Sequence, residues 1–152
     1  MLGKTSWKHE HQQMSSMMAP YQNLDNLHFV GHVEGEEKNN YLKRAKILVN
    51  TSIHEGIPVS FIEALSFGTA LVSCNNPEDL TSKFGISTGR IYGSGFDKVD
   101  LLTQGVETLM EDESHRQKIA EAAVSYVKKN HNIQLFQEVL RQEITELHQS
   151  YS

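Results

Sequence analysis

The apolar residues of this chain come in short runs divided by polar segments, and their spacing changes along its length. Residues 27–31 (LHFVG) are a short apolar run closed by glycine, which predicts a strand. Residues 35–42 (GEEKNNYL) open a helix, with Glu36 and Glu37 in the first turn, where the helix dipole favours acids. Residues 47–52 (ILVNTS) form a continuous apolar run that turns polar, the pattern of a strand buried on both faces of a parallel sheet. A loop over 54–58 leads into a helix over 59–67. Pro58 suits the first helical position and Gly68 suits the stop. Residues 70–74 (ALVSC) predict the next strand, which Asn75, Asn76 and Pro77 break, and residues 89–92 (GRIY) predict a weaker one.

From Lys98 onward the period is helical. Leu101, Leu102, Val106, Leu109 and Met110 share one apolar face. A second helix over 114–129 turns Ile119, Ala122, Ala123 and Tyr126 inward. A third, over 133–148, carries Ile133, Leu135, Phe136, Val139, Leu140, Ile144 and Leu147 on a face expected to pack on its own domain. At the other end, residues 1–4 read as the end of a strand and a turn. Residues 8–21 predict a helix that stops at Pro20, with Met14, Met17 and Met18 at helical spacing as a core-facing stripe. Strands alternate with helices through the first hundred residues. That alternation predicts an α/β fold: a doubly wound, mostly parallel Rossmann-like sheet with helices on both faces. A length of 152 residues argues for one domain over 1–152.

Charge and composition then remove several classes of function. With 14 basic against 19 acidic residues the net charge is −5, and no basic stripe is available to meet phosphates, so a nucleic-acid partner is not expected. The single cysteine, Cys74, excludes an internal disulfide and fits a reducing, cytoplasmic setting; its ordinary place is a buried strand end. No apolar run approaches the ~18 residues of a membrane-spanning helix, and no hydrophobic leader is visible. Of the eight histidines, His9 and His11 are two apart and His28 and His32 four apart. The second pair straddles a strand-to-loop boundary, where helical ligand spacing loses its meaning, so no metal is expected. Gly93, Ser94 and Gly95 lack the lysine and the spacing of a phosphate loop.

Open α/β sheets bind ligands at the carboxyl ends of their strands. The richest such edge follows residues 47–50. It offers Glu55, then Gly56, Ile57, Pro58, Val59 and Ser60 at a fresh helix amino end, whose first amides lack internal partners and suit a phosphate. Glu63 follows, more than a turn into the helix, with seven residues between it and Glu55. Two carboxylates near one helix amino end can each accept hydrogen bonds from a pair of sugar hydroxyls. A nucleotide-sugar fits that layout, with one acid on the ribose, one on the hexose and the diphosphate between.

The block VNTSIHEGIPVSFIEALSFGTALVS resembles the signature of the group 1 glycosyltransferases, retaining enzymes of the GT-B fold. Glu55, Glu63, Ala64 and Gly68 match as they stand, and NLHFVGHV, AKILVNTS and GRIYG resemble the flanking elements in order. The resemblance implies that Glu55 binds the transferred sugar near the reaction centre and that Glu63 holds the ribose. It also implies that the amides of Gly56, Ile57, Pro58, Val59 and Ser60 line the sugar and phosphate site, and that Gly31 and His32 lie near the base. The substrate would be a nucleoside diphosphate sugar, with no further cofactor. The basic residues for the diphosphate and the amino-terminal acceptor-binding domain of the family have no counterpart in this sequence. The chain therefore reads as the carboxyl-terminal, donor-binding part of a two-domain enzyme, with little turnover alone and with an acceptor at the inner membrane among its possible partners. Lys83, after the Pro77 loop, is a candidate to meet the diphosphate, against the plainer reading of a solvated surface lysine. Two other functions fit the same residues: a sugar-nucleotide epimerase on a related scaffold, and a non-catalytic module that assembles with a separate chain.

Overall fold

The computed structural model describes residues 16–52, 55–93 and 95–150. It divides into two compact units, Met1–Gly35 and Glu36–Ser152. In the first, residues 16–18 are helical and run into a single tight turn, Ala19–Tyr21, with Pro20 in its opening positions. Met17 is exposed, so the expected methionine stripe does not face a core there; Met14 and residues 1–4 lie outside the described residues. The strand expected over 27–31 is not formed. Leu27, Phe29 and Val30 are exposed, and the local backbone bonds are turn bonds, Leu24 N–H to Tyr21 O and Leu27 N–H to Leu24 O. An apolar run becomes a strand only when another strand accepts its hydrogen bonds.

Helix α1 (Gly35–Arg44), which lies in the second unit from its second residue on, carries Glu36 and Glu37 at its start and Lys43 and Arg44 at its end, as the dipole favours. Strand β1 (Ile47–Asn50), helix α2 (Val59–Ser66), strand β2 (Ala70–Ser73), the short helix α3 (Leu80–Lys83) and strand β3 (Gly85–Ser87) follow. The sheet is wholly parallel in the order β1-β2-β3, with Ile47 opposite Ala70 and Leu71 opposite Gly85. Helices α4 (Val99–Glu111), α5 (Glu113–Asn130) and α6 (Ile133–Ser150) complete the chain. The fold is the expected α/β one, a Rossmann-like parallel sheet covered by helices.

The centre of the sheet is β2. Ala70, Leu71, Val72 and Ser73 are all 0% exposed, and because successive side chains point to opposite faces, both faces of this strand are covered. The apolar run over 47–50 was expected to occupy such a place. Instead β1 is an edge strand of the described sheet, and Val49 is 46% exposed. The weaker strand expected over 89–92 is also absent, and β3 lies earlier. Thr88 N–H still reaches Ser73 O, but β2 ends at Ser73, so the residues beyond have no ladder to join.

The core is built from Phe61, Leu65, Leu71, Leu80 and Leu109, all fully buried, with Ile119, Ala123 and Val127 from α5. On α4 the inward residues are Leu102, Val106 and Leu109, while Leu101 and Met110 are exposed because neighbours in sequence lie about 100° apart around a helix. On α5 the buried line is Arg116, Ile119, Ala123 and Val127; Tyr126 packs beside it and Ala122 faces out. Cys74 is buried just after β2, as expected. Helix α6 differs from its expectation: it starts on an Asn132 cap, whose Oδ1 accepts from Leu135 N–H at 2.8 Å, but no residue of it is buried. Ile133, Phe136, Val139, Leu140, Ile144 and Leu147 are exposed, so their face does not pack on this domain.

The starts of the strands are closed by buried hydrogen bonds. Thr69 Oγ1, fully buried, donates to Leu42 O at 3.1 Å or to Ala45 O at 3.3 Å, carbonyls at the end of α1. Arg116, 8% exposed, donates to Leu109 O at 2.5 Å and to Met110 O at 3.3 Å, serving the last carbonyls of α4. Gly68 ends α2 in the left-handed region (φ +76), where a β-carbon would be strained. At Gly85 a β-carbon would stand 1.8 Å from Leu71 O, so only glycine permits the β2–β3 pairing at that point.

Candidate functional site at the strand ends

Parallel pairing brings the carboxyl ends of β1 and β2 to one edge, and both strands finish in polar residues there. Asn50, the last residue of β1, accepts Ser52 N–H on Oδ1 at 2.9 Å, turning the chain out of the sheet. Its Nδ2 donates to Glu55 Oε2 at 3.2 Å. From the neighbouring strand, Asn75 Nδ2 donates to Glu55 O at 3.3 Å. Asn75 is itself fixed, its N–H donating to Ser73 Oγ at 2.9 Å and its carbonyl accepting from Thr81 Oγ1 at 2.6 Å. Glu55, though exposed, is thus held at its carboxylate by one strand end and at its backbone by the next.

Beyond Glu55 the chain enters α2. Pro58 was expected at the first helical position but is the residue before it, since its ψ of 129° is extended. Pro58 is buried, whereas Gly56, Ile57, Val59 and Ser60 are exposed. No side chain caps α2, and no acid occupies its first turn. Its leading amides therefore present the positive end of the helix dipole uncompensated, an arrangement that attracts an anion. Glu63 lies further along the same helix, and Lys38 of α1 donates to its Oε1 at 2.7 Å. Both side chains are about one third exposed (36% and 30%).

Seven of the residues singled out from sequence, Glu55, Gly56, Ile57, Pro58, Val59, Ser60 and Glu63, therefore lie in one loop and helix of the second unit, at the carboxyl edge of the sheet. Gly31 and His32 belong to the first unit. Gly31 has a φ of +70, and exposed His32 places Nε2 at 2.7 Å from Glu34 Oε1. Lys83 does not reach into open space: its Nζ donates to Glu78 O at 2.9 Å, bracing the turn in which Glu78 and Asp79 both take left-handed backbone. Among the described residues no group of three or more His, Cys, Asp or Glu is placed to hold a metal. Lys38, Asn50 and Asn75 were not anticipated. Asn50 left a signal, a polar residue closing an apolar run, and so did Lys38, a cation near a helix start where the dipole disfavours one.

No helix among the described residues is long and apolar enough to cross a membrane. No curated protein and no solved structure matches the chain. The family model for glycosyl transferases group 1 matches residues 3–126, a span that contains the whole strand-edge loop, both glutamates and the three strands. On that match, the chain belongs to the group 1 glycosyl transferases, enzymes of sugar transfer.

Proposed function

We propose that this chain is the donor-binding domain of a retaining glycosyltransferase that moves a sugar from a nucleoside diphosphate sugar to an acceptor. The observation that carries the reading is the pair of carboxylates flanking an uncapped helix start at the carboxyl edge of a parallel sheet. In this reading the diphosphate lies at the amino end of α2, against the amides of Gly56, Ile57, Val59 and Ser60. Glu63 accepts hydrogen bonds from the two ribose hydroxyls. Glu55, fixed by Asn50 and Asn75, faces the transferred sugar and stabilises positive charge that develops at its anomeric carbon as the diphosphate departs. The helix dipole offsets part of the charge on the leaving group, and no metal is assigned to the site. The acceptor is bound by a second, amino-terminal domain, and turnover requires both.

Ligand-observed NMR of the chain against UDP-, GDP- and ADP-sugars tests this. Signal transfer to one nucleotide class, lost in Glu63→Ala, is the expected result and names the base. Silence across the panel at millimolar concentration sinks the donor-site reading for this chain. Conversion of the bound sugar to its epimer without any acceptor would favour an epimerase instead.

A second reading is favoured by α6. Its exposed apolar residues form a stripe along a helix that buries none of its own residues. That stripe fits a module assembling with a separate chain, and co-purification of a second α/β chain would support it.

A further inference from the structure

Two charges in the second unit stand at the wrong ends of their helices. Lys38 is the fourth residue of α1, directly behind Glu36 and Glu37, where the dipole disfavours a cation. Glu63 is the fifth of the eight residues of α2, in its final turn, where the dipole disfavours an anion. Each helix would be better served by the opposite charge. Yet these two side chains, 25 residues apart in sequence, meet at 2.7 Å. A half-exposed ion pair adds little to stability, and holding a lysine in one rotamer costs entropy, so folding alone gives a weak reason for the pair. Its geometry gives a better one. Lys38 takes Oε1, and among the described residues Oε2 has no partner. One oxygen of the carboxylate is thereby held by Lys38, and the other is left open beside α2.

We propose that Lys38 is a positioning residue that presents Glu63 to the ribose diol of the nucleotide, and so sets the preference of this site for ribonucleotides over deoxyribonucleotides. The inference rests on the function proposed above. A carboxylate free to rotate can follow a ligand that offers one hydroxyl as readily as one that offers two. A carboxylate pinned at one oxygen holds its remaining lone pairs in fixed directions and rewards a diol placed to use them. Ammonium donates without accepting, so the contact at Oε1 can run only one way and gives the lysine no acceptor that would compete with Glu63 for the sugar hydroxyls.

The test is calorimetric titration of the full chain with UDP, GDP and ADP and with their 2′-deoxy forms, using the unaltered chain, Lys38→Met, Lys38→Arg and Glu63→Gln. We expect the unaltered chain to prefer the ribonucleotide. Lys38→Met should weaken ribonucleotide binding by about tenfold and bring the ribose-to-deoxyribose ratio toward one, as Glu63→Gln does, while Lys38→Arg keeps the preference. A merely structural lysine would lower both affinities equally and leave the ratio intact, and that result overturns the inference while the proposed function stands. Tighter ribonucleotide binding by Lys38→Met overturns it too, since the lysine would then compete with the ribose. If Lys38→Met melts below the unaltered chain, Lys38→Gln, which keeps a hydrogen-bond donor without the charge, takes its place and must collapse the ratio. Absence of binding by the unaltered chain overturns the proposed function itself, and this inference with it.

Discussion

The two ends of the sheet are built to opposite rules. Where the strands begin, polar groups are buried and each is used: Thr69 serves the end of α1 and Arg116 the end of α4. Where the strands finish, polar groups are only partly buried and only half used: Asn50 and Lys38 each hold one oxygen of a glutamate, and the helix start between those glutamates has no cap. A buried polar atom must be satisfied or it costs about 1–3 kcal/mol, so the first end is tied down by stability. The second end tolerates open hydrogen-bonding capacity because water fills it until a ligand does. In the function proposed above, the difference separates residues that hold the fold from residues that would meet the substrate.

The comparison can be broken most sharply at Gly85. Gly85→Ala puts a β-carbon on Leu71 O, and we expect loss of more than about 4 kcal/mol, enough to prevent folding, read as loss of near-ultraviolet circular dichroism. Thr69→Val keeps the shape and removes the hydroxyl. It should cost about 1–3 kcal/mol in urea unfolding, since Ala45 O loses its side-chain donor and Leu42 O keeps only the Ala45 N–H, and leave nucleotide-sugar affinity unchanged. Asn50→Leu should do the reverse. Its loss from Glu55 is expected to weaken donor binding by about 2- to 10-fold, from a hydrogen bond of roughly 0.5–1.5 kcal/mol, while the unfolding midpoint moves less than in Thr69→Val, since the Ser52 N–H that also loses its acceptor is only part-buried. A large stability loss in Asn50→Leu, or a binding loss in Thr69→Val, would erase the distinction between the two ends.

How much of this was legible in the sequence follows the same division. The buried strand ALVS and the residue that stops α2, Gly68, were readable because their signals are local: an unbroken apolar run and a backbone turn only glycine favours. The loop and helix carrying Glu55 and Glu63 were readable because a strand end, a glycine and a proline follow in order. The place of β1 was not. An apolar run shows that a strand is sheltered, but not how many neighbours shelter it, and Val49 turned out half exposed. LHFVG looked equally strand-like, and with no strand partner among the described residues it takes no regular structure. The Lys38–Glu63 and Asn75–Glu55 contacts join residues 25 and 20 positions apart, and no local pattern reports such a pair.

Helices α5 and α6 are each 18 residues long, yet α5 buries four residues and α6 none. A free helix of that length is only just stable in water, since propagation barely outweighs the cost of nucleation above about 12–15 residues. Helix α6 is therefore expected to unfold and reform on its own account, without waiting for the rest of the domain. In heavy water its amides should exchange nearly as fast as those of a peptide, while the amides of α5 wait for global opening. Whatever covers the apolar stripe of α6 would be seen first as a slowing of that exchange.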